Sequence, residues 1–234
     1  MGKERSRNNC CALVALGLLL AGNAAWAETK APGALKAPDA FASASPDARR
    51  VAGWIAGSHD NSNLPYLVID KANARVFAFD ATGKLQGSAP VLLGMARGDR
   101  LLTANETAVD DIPEDERITP AGRYLSRLAL DSHGKELLVI DYEASISLHP
   151  VVTNKPEERR VERLKTATAQ DNRISHGCIN VPADFYSTVV SPAFTHTKGV
   201  VYILPETEPA SALFSMNSDV AAGSGATAGT AGAP

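Results

Sequence analysis

The chain has 234 residues, 44% of them hydrophobic and 21% charged, an ordinary globular composition that excludes collagen-like, coiled-coil and wholly disordered classes. Its 23 basic and 26 acidic residues give a formal charge of −3, so there is no general cationic field for a nucleic acid backbone, and no nucleic acid partner is expected. Three cysteines, two of them the adjacent Cys10 and Cys11, exclude a disulfide-stapled framework, so the core must hold by packing.

The first 27 residues read as a signal peptide. Lys3, Arg5 and Arg7 precede an apolar run from Cys11 to Ala21, and Ala25-Trp26-Ala27 supplies the small-x-small cleavage pattern. The run is shorter than the roughly 20 residues needed to cross a bilayer, so no stable membrane span is expected after cleavage. Cys10 and Cys11 lie at or before the start of the run, where lipid anchoring does not place its cysteine. Export to the periplasm or cell-wall space follows, with Cys178 as the one thiol of the exported chain. An unpaired thiol in an oxidising compartment is either buried and inert or reactive for a purpose.

Residues 28–48, rich in Ala, Pro and Ser, read as a linker, and residues 49–63 as a short docking helix and loop. The helix is expected from Pro46 to about Ala56, with Val51, Trp54 and Ile55 as its apolar face. Residues 64–205 form the main domain. There Tyr66 to Asp70 and Arg75 to Asp80 predict a β-hairpin, followed by short strands at Ala89 to Leu93, Leu137 to Asp141, Ser145 to His149 and Val200 to Leu204. Strands of this length and spacing predict a mainly β domain, a sandwich or barrel-like sheet with a few short helices. The acidic stretch between Gly98 and Thr119 reads as a solvated loop. Residues 156 to 169 run from acidic to basic in helix-dipole order and predict a surface helix with a thin apolar face of Val161 and Leu164. A second helix is expected to start near Pro182 and end before Pro192, and residues 206–234 read as a disordered low-complexity tail.

The thiol lies in Ile174-Ser175-His176-Gly177-Cys178-Ile179-Asn180-Val181. A thiolate is the reactive form of cysteine, an imidazole can take the thiol proton, and a preceding glycine lets backbone N–H groups turn toward a developing oxyanion. Two histidines are candidate bases. His176 is near in sequence, whereas His149, at the end of a predicted strand, would meet Cys178 only through folding.

The string SHGCIN with an upstream histidine at a strand end resembles the signature of the L,D-transpeptidase catalytic domain, the YkuD type. The hairpin Leu67-Val68-Ile69-Asp70, the Val91 to Gly94 strand and Thr119-Pro120-Ala121-Gly122-Arg123 are similar to further segments of that family, and the resemblance covers roughly Leu64 to Pro205. It implies Cys178 as nucleophile and His149 as general base, with the carbonyl of Pro150 orienting the imidazole. It further implies an oxyanion hole from the amides of Gly177 and Cys178, His176 lining the substrate site, and Ser175 and Asn180 buttressing the loop. Arg173, next to the motif, suits either a substrate carboxylate or a surface salt bridge. No cofactor is implied. The substrate class implied is the peptidoglycan stem peptide, with a second stem, a lipoprotein lysine, a free D-amino acid or water as acyl acceptor. Water would make the enzyme an L,D-carboxypeptidase, and a catalytically silent wall-binding module is the remaining alternative.

The 25 residues between His149 and Ser175 exceed the usual family interval, and the excess coincides with the charged segment, which reads either as a substrate-selecting lid or as a solvated helix. A metal site from His149, His176 and Cys178 is disfavoured, because structural zinc wants four ligands and no HExxH pair is present. Sortase-like enzymes place an arginine after the cysteine, and none follows Arg173. Papain-like and NlpC/P60-like peptidases place the cysteine before the histidine, the reverse of the order here.

Overall fold

Ser45 opens the first helix, α1 (Pro46–Ser58), by accepting the Ala48 N–H at 3.1 Å, with Pro46 preset for the first turn. His59, in the left-handed region, closes it by donating its N–H to Ile55 O. Ala48, Val51, Ala52 and Ile55 share one buried face, and Val51 and Ile55 contribute about 1.5–3 kcal/mol each by leaving water. The computed structural model describes residues 41–101 and 111–216. The expected signal peptide, residues 28–40 of the linker, residues 102–110 of the acidic stretch and residues 217–234 of the tail lie outside the described residues.

Among the described residues ten strands follow: β1 (Tyr66–Asp70), β2 (Arg75–Phe79), β3 (Leu85–Pro90), β4 (Leu93–Gly94), β5 (Gly122–Leu130), β6 (Glu136–Asp141), β7 (Ile146–Pro150), β8 (Arg173–Ser175), β9 (Ile179–Val181) and β10 (Gly199–Ile203). Eight form one sheet in the order β3-β2-β1-β10-β5-β6-β7-β9, and β4 pairs with β8. Leu92 and Asn180 exchange both backbone hydrogen bonds, so the chain leaving β3 meets β9 at the far edge and nearly closes the sheet on itself. The mainly β, barrel-like expectation is borne out.

The continuous apolar runs of β1 and β10 arise because both faces are covered. Leu67, Ile69, Val201 and Ile203 point into one cluster with Val76, Leu138, Leu148 and Ile179. The alternating residues Tyr66, Val68, Val200 and Tyr202 face the other way, beneath α1. The predicted hairpin forms, with Tyr66 opposite Phe79 and Asp70 opposite Arg75.

Several expectations are corrected. The linker expectation fails at its end: Phe41 packs edge-on against Phe77 and Phe79, and Ala44 is buried. Residues 156 to 169 are not one helix. A single tight turn, Pro156–Glu158, and a short helix, Arg160–Arg163, are separated by Arg159 at φ 48°, a left-handed break no regular helix passes through. The second helix does not end before Pro192. It runs over 183–194 through a wide turn, Tyr186–Val190, whose Ser191 N–H reaches Tyr186 O, and this shift accommodates a residue that lacks an N–H of its own.

The tail expectation fails over residues 206–216. Helix Ala210–Leu213 lies there, Ala210 and Phe214 are buried, and the Phe214 ring stacks on Trp54 and meets Tyr202 edge-on. Phe214→Ala is therefore expected to cost about 3 kcal/mol, read as a lowered denaturant midpoint with unchanged slope. A midpoint equal to that of the unsubstituted chain would show that the segment does not contribute to the core.

Candidate active site

Parallel pairing of β7 with β9 sets the centre of the site. His149 lies opposite Asn180 and Leu148 opposite Ile179, so Cys178, just before β9, arrives beside the face that His149 presents. Ser147, two residues before His149, shares that face, and its Oγ is 3.5 Å from Cys178 Sγ. The thiol is partly exposed and also directs toward Ser145 O at 3.5 Å.

His149 Nδ1 lies 2.8 Å from Pro150 O. A carbonyl only accepts, so Nδ1 carries a proton and Nε2 is left for the thiol. Burial alone would push the Cys178 thiol up, but its hydrogen bonds with His149 and Ser147 and the imidazole's charge outweigh burial and hold it below the ordinary thiol range. Burial likewise opposes charge on His149, and there the hydrogen bond and charge of Cys178 win, raising it. The two shifts agree in direction: each group favours the charged form of the other.

The loop before Cys178 is held from several sides. Gly177 has φ +131°, and a Cβ there would stand 2.8 Å from Ile118 O and 2.9 Å from Ile146 Cδ1. Ser175 Oγ accepts the Gly177 N–H at 3.1 Å and donates to Cys178 O at 2.6 Å, while Asn180 Nδ2 reaches the same carbonyl at 3.4 Å. The Gly177 N–H, expected to face a developing oxyanion, is thus hydrogen-bonded to Ser175 Oγ. His176 is half-buried in the same turn.

Arg173 is placed elsewhere. Its Nη2 is 2.6 Å from Glu206 Oε2 and 3.2 Å from Lys71 O, and the side chain is 11% exposed, so a buried ion pair occupies the guanidinium suggested for a substrate carboxylate. Sequence reasoning missed the cluster behind it. The buried Lys71 donates from Nζ to Asp99 Oδ1 at 2.8 Å, Thr119 O at 2.9 Å and Gly98 O at 2.5 Å, with Glu206 3.7 Å away. Asp99 and Thr119, at the ends of the expected solvated loop, are thus buried. Despite burial, which raises it, the Asp99 carboxyl is held down to about 2 by Lys71, Thr207 and the amides of Glu206 and Thr207. A depressed folded pKa means stability that is present above the unfolded carboxyl range near 4 and lost as pH falls toward 2. Acid titration of the fold, followed by circular dichroism, is expected to show this loss, and Asp99→Asn to remove that part of the pH dependence. An unchanged acid limb in the variant would contradict the assignment.

Arg160, in the charged segment expected as a lid or a solvated helix, also reaches the site. Its Nη1 donates to Asn180 Oδ1 at 2.9 Å and its Nε to Glu158 at 2.5 Å, and its charge opposes protonation of His149. Ser147 could have been found from its i−2 position on the strand of His149, whereas the folding of the 156–169 segment onto Asn180 left no local signal. Among the described residues, no group of three His, Cys, Asp or Glu is placed to hold a metal ion, and no helix is long and apolar enough to cross a membrane.

No family model and no curated protein matches the chain. Solved structures do. The chain is similar in structure to the LD transpeptidase LdtMt1, solved in complex with imipenem, at a TM-score of 0.37 and 14% identity, covering 60% of this chain and 58% of that one. It is also similar to the helical cell shape determining protein Pgp2 from Campylobacter jejuni, at a TM-score of 0.40 and 12% identity, covering 70% of this chain and 57% of that one. The chain spans less than two thirds of either of these proteins.

Proposed function

We propose that the chain is an exported L,D-transpeptidase of the YkuD type, with Cys178 as nucleophile, His149 as base and then acid, and peptidoglycan stem peptides as substrate. The observation that carries this reading is the Cys178–His149 pair, with the thiol shifted down and the imidazole up, on the turn Ser175-His176-Gly177-Cys178. In the first half-reaction Sγ attacks the carbonyl carbon of the L-centre residue, a C–S bond forms and the carbonyl π pair moves to oxygen beside the Cys178 N–H. Collapse restores the C=O and breaks the C–N bond to the terminal D-alanine, whose nitrogen takes the proton from His149 Nε2. In the second half-reaction an acceptor amine loses a proton to His149 as it attacks the thioester, and the C–S bond breaks to return the thiolate.

Incubation with purified tetrapeptide stems, followed by mass spectrometry of protein and products, tests the reading. The expected result is a thioester adduct on the chain and a product joined to an amine. Loss of D-alanine without joining would make water the acceptor and the enzyme an L,D-carboxypeptidase. Neither adduct nor product would overturn the proposal in favour of a wall-binding module.

A further inference from the structure

Thr119 is fully buried, and its hydroxyl sits between two backbone groups: it is 2.8 Å from the Gly94 N–H and 2.8 Å from Gly177 O. An amide N–H can only donate and a carbonyl can only accept, so the hydroxyl accepts from Gly94 and spends its one proton on Gly177 O. That carbonyl belongs to the peptide unit that ends in the Cys178 N–H. The unit is planar and trans, so its C=O and N–H point in opposite directions, and fixing one fixes the other. We propose that Thr119 is a positioning residue for acyl transfer: by holding Gly177 O, it aims the Cys178 N–H at the site of the developing oxyanion. The inference rests on the acyl-transfer reading of the site.

The surroundings leave Thr119 little freedom. A Cβ on Gly94 would stand 2.3 Å from Arg117 O and 2.7 Å from Thr119 N, and one on Gly177 would stand 2.8 Å from Ile118 O, so residues 117–119 are wedged between two positions that lack side chains. Lys71 holds the segment from behind through Thr119 O. On the other side of Cys178, Ser175 and Asn180 hold the Cys178 carbonyl. The peptide units before and after the nucleophile are therefore each fixed by a side-chain hydrogen bond.

The two reactions of a thiol separate this role from a general one. Alkylation by iodoacetamide occurs at a saturated carbon and develops no oxyanion, so it reads the Cys178–His149 pair alone. Acylation by a carbapenem forms a C–S bond and breaks the lactam C–N bond, with the ring nitrogen taking the imidazolium proton, and passes through an oxyanion. Thr119→Val, which keeps the shape and removes the hydroxyl, is expected to slow acylation about 30-fold or more while leaving the alkylation rate and its pH profile within about twofold. Thr119→Ser is expected to restore acylation to within about threefold. Thr119→Ala, which admits a bridging water, takes the place of the valine variant if the latter fails to fold, and is expected to fall between the two. Acylation at the unsubstituted rate in the valine or alanine variant overturns the proposal, as does an equal loss of acylation and alkylation, which would mark a general disturbance. Failure of the unsubstituted protein to acylate with any donor would instead overturn the acyl-transfer reading, so the two failures are distinct.

Discussion

Cys178→Ala is expected to abolish acyl-enzyme formation, lowering turnover of stem peptides by at least about 10⁴-fold, while the fold persists. The sulfur is the electron-pair donor of the first step, and nothing near it can substitute. Ser147 Oγ is 3.5 Å away, but a hydroxyl beside a single histidine is a far weaker nucleophile than a thiolate. Loss of one partly exposed sulfur opens no large cavity, so the melting temperature should barely move. Intact-mass measurement after exposure to stems or to a carbapenem checks the result, and an adduct of undiminished amount on the alanine variant would reassign the nucleophile.

The second large effect belongs to His149. Without the imidazole, burial acts on the thiol with only Ser147 to oppose it, so the Cys178 pKa must rise. The sign is fixed by the same balance: removing the imidazole that lowers the Cys178 thiol moves thiolate formation to higher pH. His149→Ala is therefore expected to cut the rate of iodoacetamide alkylation near pH 7 by about 10²-fold and to move its rise to higher pH. Acyl transfer should fall further, because the leaving nitrogen also loses its proton donor. His176→Ala, by contrast, is expected to leave the alkylation profile in place and to weaken use of stems. A larger loss of alkylation in the His176 variant would exchange the two roles.

These effects could be anticipated because the groups concerned announce themselves locally. The SHGCIN string and a histidine at a strand end are short-range patterns, as are the two apolar runs that make the β1–β2 hairpin. Strand β5 escaped notice because its outward positions, Arg123, Leu125 and Arg127, are exposed while Tyr124 and Leu128 are only half-buried, so no apolar run or clean alternation marks it. Phe41 and Phe214 were hidden by Ala- and Ser-rich surroundings, where a single aromatic residue makes no periodic pattern. The charged cluster of Lys71, Asp99, Arg173 and Glu206 joins four distant points of the chain, and no window of sequence contains two of them. The 156–169 segment misled for a different reason. Its charges follow the order of a helix dipole, yet Arg160 and Arg163 bind Glu158 and Asp171 O, and these contacts favour a folded turn over a regular helix.

Because β7 and β9 run side by side in the same direction, the chain between them has to leave one end of the sheet and re-enter at the other. The entropy of closing such an excursion grows only with the logarithm of its length, about 0.6 kcal/mol for each doubling. The positions of His149 and Cys178 depend on the pairing of two short strands and on the turn Ser175-His176-Gly177-Cys178, and hardly at all on the exposed stretch of the route around Ala167. An insertion of about ten residues near Ala167 should therefore be tolerated at a cost well under 1 kcal/mol. A single residue added within β9 is a different matter: it would slide the strand by about 3.3 Å and turn Ile179 from the core to the opposite face. Length in this domain is cheap where the chain crosses over and very costly where it pairs, which lets the approach to the thiol diversify while the chemistry beside it stays fixed.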